Sequence, residues 1–247
     1  MARTFFFLLF FFALSAPIAA DQEISAAKIV AQADEIRFPQ RSFEVHVAIT
    51  SSMGGTRETD VKEYDILSRG IDRTLVRTTA PPMDRGQVLL MRGRDLWAFL
   101  PTLSQPVRLA LSQRLTGQVA NGDLARANFS GDYTPTVTGT ETIKGQQYYV
   151  LDLKAVDRGV TYHRVIYRVN KTNFRPLNAE FYAVSGKLLK TCSYENFKET
   201  GGAIRPTTLV MEDALNQGTK SVLEYRNFQV HDIPEKYFNK DYLPKLQ

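Results

Sequence analysis

The chain has 247 residues, 43% of them hydrophobic and 23% charged, with 31 Lys+Arg against 26 Asp+Glu for a formal net charge of +5. That surplus is scattered as single residues and pairs, which excludes the clustered basic surface of a nucleic-acid binder. The single cysteine, Cys192, excludes an intramolecular disulfide and a cysteine-based zinc cage.

Residues 1–20 read as a secretory signal: Arg3 supplies the positive end, Phe5 to Leu14 an uncharged apolar core, and Ala16 to Ala20 small residues for cleavage. An uncleaved anchor is the alternative, although the run is short against the roughly 20 residues of a bilayer span. Residues 21–247 are then expected to form one domain large enough for a real core, soluble because no later stretch has spanning length.

Ile24 to Phe38 predicts a helix, with Ala27, Val30, Ala31, Ala33 and Ile36 on an apolar stripe and Pro39 as its stop. From Ser42 the period becomes two: Phe43, Val45, Val47 and Ile49 alternate with Glu44, His46, Ala48 and Thr50. Further strands are predicted at Val61 to Arg69, Arg73 to Thr79, Gln87 to Arg92, Asp95 to Leu100, Pro106 to Leu111 and Pro135 to Glu141. Others follow at Gln147 to Lys154, Thr161 to Val169, Leu177 to Val184, Lys187 to Lys198, Arg205 to Glu212 and Lys220 to Gln229. Glycines between them, as in Arg92-Gly93-Arg94, Lys144-Gly145-Gln146 and Ser185-Gly186-Lys187, suit hairpins. The fold class is therefore mainly β: a curved antiparallel sheet or incomplete barrel behind one N-terminal helix, with an immunoglobulin-like sandwich as the competing architecture. Ser112 to Ser130 breaks the alternation and is expected to be a loop with short helical turns, a lid or a packed surface loop.

No catalytic or metal motif emerges. His46, His163 and His231 lack ligand spacing, and there is no G-x-S-x-G elbow, P-loop or dinucleotide turn. Aromatic residues recur on the strands, where they pack a core or, if the sheet is too wide to fill, line a cavity.

Asp95-Leu96-Trp97-Ala98-Phe99-Leu100-Pro101, Asn121-Gly122-Asp123-Leu124, Asn170 to Leu177, Gly186-Lys187-Leu188-Leu189 and Ile233 to Phe238 resemble the LolA-like outer-membrane lipoprotein-sorting protein family. The resemblance implies an incomplete antiparallel barrel around a hydrophobic cavity, covered by helix and loop. It implies a non-enzymatic periplasmic carrier, without cofactor or metal, that binds acyl chains of a lipoprotein or lipid. Its implied partners are an inner-membrane transporter and an outer-membrane acceptor, and the carrier is expected to be a monomer. The expected cavity lining is Phe43, Val45, Val47, Tyr64, Ile66, Leu89, Trp97, Phe99, Tyr149, Tyr167 and Phe181; the expected lid residues are Ile29, Ile36, Leu115, Leu124 and Phe129. Arg69, Arg73 and Arg77 are the candidates for an arginine that latches the lid. Trp97 and Phe99 share one face of their strand and are expected on the cavity side, with core packing as the alternative. Two other functions fit the same fold, a periplasmic sensor that binds a protein or lipid signal and a hydrolase of lipid-like substrates.

Overall fold

The computed structural model describes residues 24–246; the secretory segment expected at residues 1–20 lies outside the described residues. Helix α1 (Ala26–Arg37) begins at Ser25, whose side chain accepts from the Lys28 amide at 3.3 Å. It ends at Phe38, which is extended (φ −139°), as the residue before a proline prefers.

Fifteen strands follow: β1 (Phe43–Ser52), β2 (Thr59–Arg69), β3 (Arg73–Ala80), β4 (Val88–Arg92), β5 (Asp95–Phe99), β6 (Val107–Leu109), β7 (Arg114–Thr116), β8 (Val119–Ala120), β9 (Tyr133–Ile143), β10 (Gln146–Ala155), β11 (Arg164–Asn170), β12 (Pro176–Tyr182), β13 (Leu188–Thr200), β14 (Ala203–Asp213) and β15 (Lys220–Val230). Helix α2 (Asn121–Ala125) lies between β8 and β9. Thirteen strands form one sheet, in the order β6-β5-β4-β3-β2-β1-β15-β14-β13-β12-β11-β10-β9, with antiparallel pairing throughout. The sheet does not close into a barrel, and a single sheet replaces the two sheets of a sandwich. Residues 112–130 are more ordered than the broken alternation suggests. Gly117 (φ 49°) turns the chain between β7 and β8, and their small hairpin leads into α2.

The sheet curls on itself. Strands β4 and β10 stand nine steps apart, about 43 Å along a flat sheet at roughly 4.8 Å per strand. Yet Arg94, in the turn after β4, bonds both Asp132, just before β9, and Asp157, just after β10. Arg126 joins the same contact: it pairs with Asp132 and donates to the carbonyls of Ile71 and Gly93 at 3.0 and 2.9 Å. No arginine spans such a distance, so the two wings of the sheet must bend toward each other.

Alternation divides the buried apolar side chains between two faces. On β3 to β5, Val76, Met91 and Leu96 join the main core with α1, while Leu75, Val88, Leu90 and Phe99 face away from it. The outward set is covered by the C-terminal segment through Ile233, Phe238 and Leu243. Arg69 and Arg73 hold that segment through Glu235, and Lys240 sits 3.4 Å from the centre of the Trp97 ring. Among the described residues no helix is long and apolar enough to cross a membrane.

Replacing Phe238, buried in this second core, by alanine should cost about 3–5 kcal/mol. Urea denaturation of Phe238→Ala should show that fall in stability; a fall below about 1 kcal/mol would mean that the segment is not anchored there.

Candidate functional site

Under α1 and the segment leading to β9 lies a cavity walled by the facing residues of β12 to β15. Phe181, Tyr194, Leu209, Met211, Tyr225 and Phe228 form the sheet side, and Phe38, Ala127, Phe129 and Tyr133 the cover. Its free volume is about 40 Å³, room for a few waters at about 10–15 Å³ each. A larger groove of about 940 Å³ at the far strand ends is lined mainly by polar residues such as Ser51, Thr56, Asp60, Asn216 and Thr219, and does not suit an apolar ligand.

Three polar anchors hold the cover. Asp34 and Arg37, three apart on α1, form a buried ion pair at 2.9 Å. Asp34 also accepts from the amides of Phe129 (3.0 Å) and Ser130 (2.7 Å), which ties the helix to the long segment. Arg37 donates to the Tyr194 hydroxyl at 3.0 Å and to the Ala127 carbonyl, and its guanidinium lies 4.3 Å from the centre of the Phe129 ring. Burial lowers the pKa of Arg37, but Tyr167, Tyr194 and Asp34 outweigh it and hold the group above the ordinary arginine range.

The second anchor is Asp123 on α2. It accepts from Tyr162 at 2.8 Å and pairs with Lys190 of β13 at 2.8 Å. Gly122 allows this approach: a Cβ there would stand 2.0 Å from the Thr161 hydroxyl. Burial, then Asp123, raise the Tyr162 pKa well above the phenol range, so its hydroxyl stays protonated and donates. The third anchor is Arg205 of β14, which donates to the carbonyls of Glu35 (2.6 Å) and Ile36 (3.0 Å) at the end of α1. Those carbonyls belong to the last turn of a helix, where orphan acceptors attract cations.

Of the residues expected to line the cavity, Phe181 does so, and of the expected lid residues Phe129 does. Tyr167 stands behind them, edge-on to Phe129 at 5.1 Å. Phe43 packs against the cavity residues Phe38 and Phe228 at 5.3 and 4.8 Å. Val45, Val47, Tyr64 and Ile66 lie deeper in the main core, with Ile29 and Leu124 of the cover; Leu89, Tyr149 and Leu115 are partly buried against it. Ile36 is half-buried and serves through its carbonyl.

Two expectations are corrected. Trp97 and Phe99 point away from the cavity toward the C-terminal segment, because alternation gives the inward position to Leu96. Arg69, Arg73 and Arg77 do not latch the cover: they pair with Glu235, Glu235 and Asp65. Of the arginines that do hold it, one falls at helical spacing and the other at strand alternation with buried neighbours. Arg37 follows Val30 and Ala33 on the buried stripe of α1, and Arg205 is in phase with Leu209 and Met211.

A protein-family profile described as an uncharacterized protein matches residues 70–245. The chain is similar to the crystal structure of a LolA superfamily protein from Nitrosomonas europaea, with 54% identity, a TM-score of 0.85, and 89% of this chain and 99% of that one covered. A putative outer membrane lipoprotein-sorting protein domain from Vibrio parahaemolyticus shares the fold at 21% identity and TM-score 0.75, covering 88% of this chain and 97% of that one. So does a DUF1329 family protein from Desulfovibrio piger, at 19% identity, TM-score 0.75 and the same coverage. Comparison with curated proteins finds no match.

Removing one partner of the buried Asp34–Arg37 pair should cost about 3–5 kcal/mol, read as a lower denaturation midpoint for Asp34→Ala. Cys192 reports on the same interior. It lies on β13 between Lys190 and Tyr194, where burial, then Asp123, push its thiol up to about 12. Iodoacetamide at pH 8 should label it slowly in the folded protein and at once in denaturant; equal rates would place the thiol outside the closed core.

Proposed function

The chain belongs to the LolA superfamily, and we propose that it is an exported carrier that encloses the acyl chains of a lipid or lipoprotein. In this reading residues 1–20 direct export, and residues 21–247 work in the periplasm as a monomer. The chain receives its cargo from an inner-membrane transporter and gives it to an outer-membrane acceptor.

The observation that carries the reading is the join between cover and sheet. A curled sheet with an apolar inner face is closed by α1 and residues 121–133, which are fixed by a small set of hydrogen bonds and ion pairs. An acyl chain in water costs about 0.8 kcal/mol per exposed methylene, so apolar shape alone supplies affinity. With about 40 Å³ free, a chain enters only as Phe129 and its neighbours move outward. Two arrangements of the cover follow, one filled by the protein's own rings and one by cargo, and cargo shifts the balance by binding the second. A competing acceptor reverses it. No step of this cycle requires a nucleophile or a metal.

Protein purified from a lysate that retains membranes should carry acyl lipid by native mass spectrometry, and a fluorescent fatty acid should compete for the same site. Leu209→Trp, which fills the sheet side of the cavity, should weaken fatty-acid binding at least tenfold. Trp97→Leu, on the opposite face, should leave it unchanged. Failure of the protein to bind any acyl lipid would defeat the carrier reading, and a stable protein complex without lipid would favour a sensor.

A further inference from the structure

Among the described residues the charges around the cavity are matched with one exception. Arg37 pairs with Asp34, Lys190 with Asp123 and Arg126 with Asp132. Among the described residues no carboxylate bonds Arg205, which is 2% exposed. One of its terminal nitrogens, Nη1, serves the two helix carbonyls, its guanidinium carbon lies 4.9 Å from the centre of the Phe228 ring, and its buried Nε–H has no acceptor among the described residues. The Tyr225 hydroxyl, in the same wall, is also buried without a partner.

Neighbouring groups do not make up the deficit. The negative end of a helix amounts to about half an elementary charge. Glu35 lies on the exposed side of α1, where its carboxylate accepts from the Gln40 amide at 3.1 Å, and Arg41 opposes it. Burial is the largest influence on Arg205 and pulls its pKa below the ordinary arginine value. An arginine stays charged under these conditions, and a buried cation without a counter-ion is destabilising. A neutral glutamine at this position could still pack against Phe228 and donate to the carbonyls at the end of α1 without that cost. The cation therefore needs an explanation beyond packing.

We infer that the cargo is an acyl lipid with an acidic headgroup, a carboxylate or a phosphate, and that Arg205 is the residue that binds this anion. The inference rests on the carrier reading and specifies its ligand. The free Nε–H of Arg205 supplies the charged donor, and the Tyr225 hydroxyl a neutral one in the same wall. The acyl chain runs from that point between Leu209, Met211 and Phe181. The headgroup supplies the missing counter-ion, and because Arg205 also holds the end of α1, binding at the head is linked to the seating of the cover.

The test pairs each acid with its uncharged counterpart. Delipidated protein is titrated with palmitic acid against hexadecanol, with phosphatidic acid against diacylglycerol, and with inorganic phosphate alone, all by displacement of a fluorescent acyl probe. For at least one pair the acid should bind the native protein at least tenfold more tightly than the neutral lipid, and that pair identifies the headgroup. The preference should fall to about twofold or less in Arg205→Gln and persist in Arg205→Lys, while inorganic phosphate alone displaces nothing. Equal affinities within both pairs, displacement by phosphate alone, or a preference that survives in Arg205→Gln would overturn the inference and leave the carrier reading standing. Binding of no lipid would overturn both.

One measurement needs no variant. If the carboxylate pair shows the preference, carboxyl-labelled palmitate bound to the native protein should titrate below its free pKa, as an acid beside an arginine does. A bound carboxyl that titrates at or above its free value would overturn the assignment to Arg205.

Discussion

The architecture depends on one carboxylate. Asp132, 2% exposed, receives Arg126 from the segment before β9 and Arg94 from the β4–β5 turn. Through these two arginines it draws together parts of the sheet that the strand order places far apart. Without this contact the wings of an open sheet of thirteen strands would be free to follow their own twist. The contact lies where the two wings of the sheet meet, and one short helix and one long segment cover the concave face between them. Arg126 also donates to two turn carbonyls, so the closure is a network that satisfies backbone groups as well as charges.

The cover is attached by polar groups set in apolar surroundings, and this choice governs how it can move. A purely apolar cover would gain stability in proportion to buried area and could slide with little penalty. The Asp34, Asp123 and Arg205 anchors have direction and length, so they favour one seated position. Breaking one of them would leave a buried charge unpaired, which penalises any other position of the cover. The rings of Phe129 and Tyr133 meet edge to face at 5.5 Å, and Phe129 meets Tyr167 of β11 the same way at 5.1 Å, so aromatic rings occupy the space between cover and sheet.

The other face has a different logic. Leu75, Val88, Leu90 and Phe99 would leave an apolar patch on the outside of the sheet, and the C-terminal segment covers it. This explains why β4 and β5 carry apolar residues on both faces: one set of side chains faces α1 and the other faces the end of the chain. Trp97, with Lys240 over its ring, belongs to that outer layer.

Local sequence determined much of this protein. Alternation from Phe43 to Ile49 and in the later runs defined the strands, Pro39 set the end of α1, and glycines marked the hairpins, because each of these signals acts within a few residues. The break in alternation also marked residues 112–130 as a segment apart from the run of strands. Which face of each strand turns inward was a tertiary decision. Val88, Leu89, Leu90 and Met91 are all apolar, so the pattern carries no sign that distinguishes the inside from the outside. The site was less legible still, because Arg205 and the end of α1, 170 positions away in sequence, meet only when the sheet curls. Residue type states that an arginine carries a charge; only the fold decides that this one is buried beside an apolar cavity with no carboxylate bonded to it among the described residues.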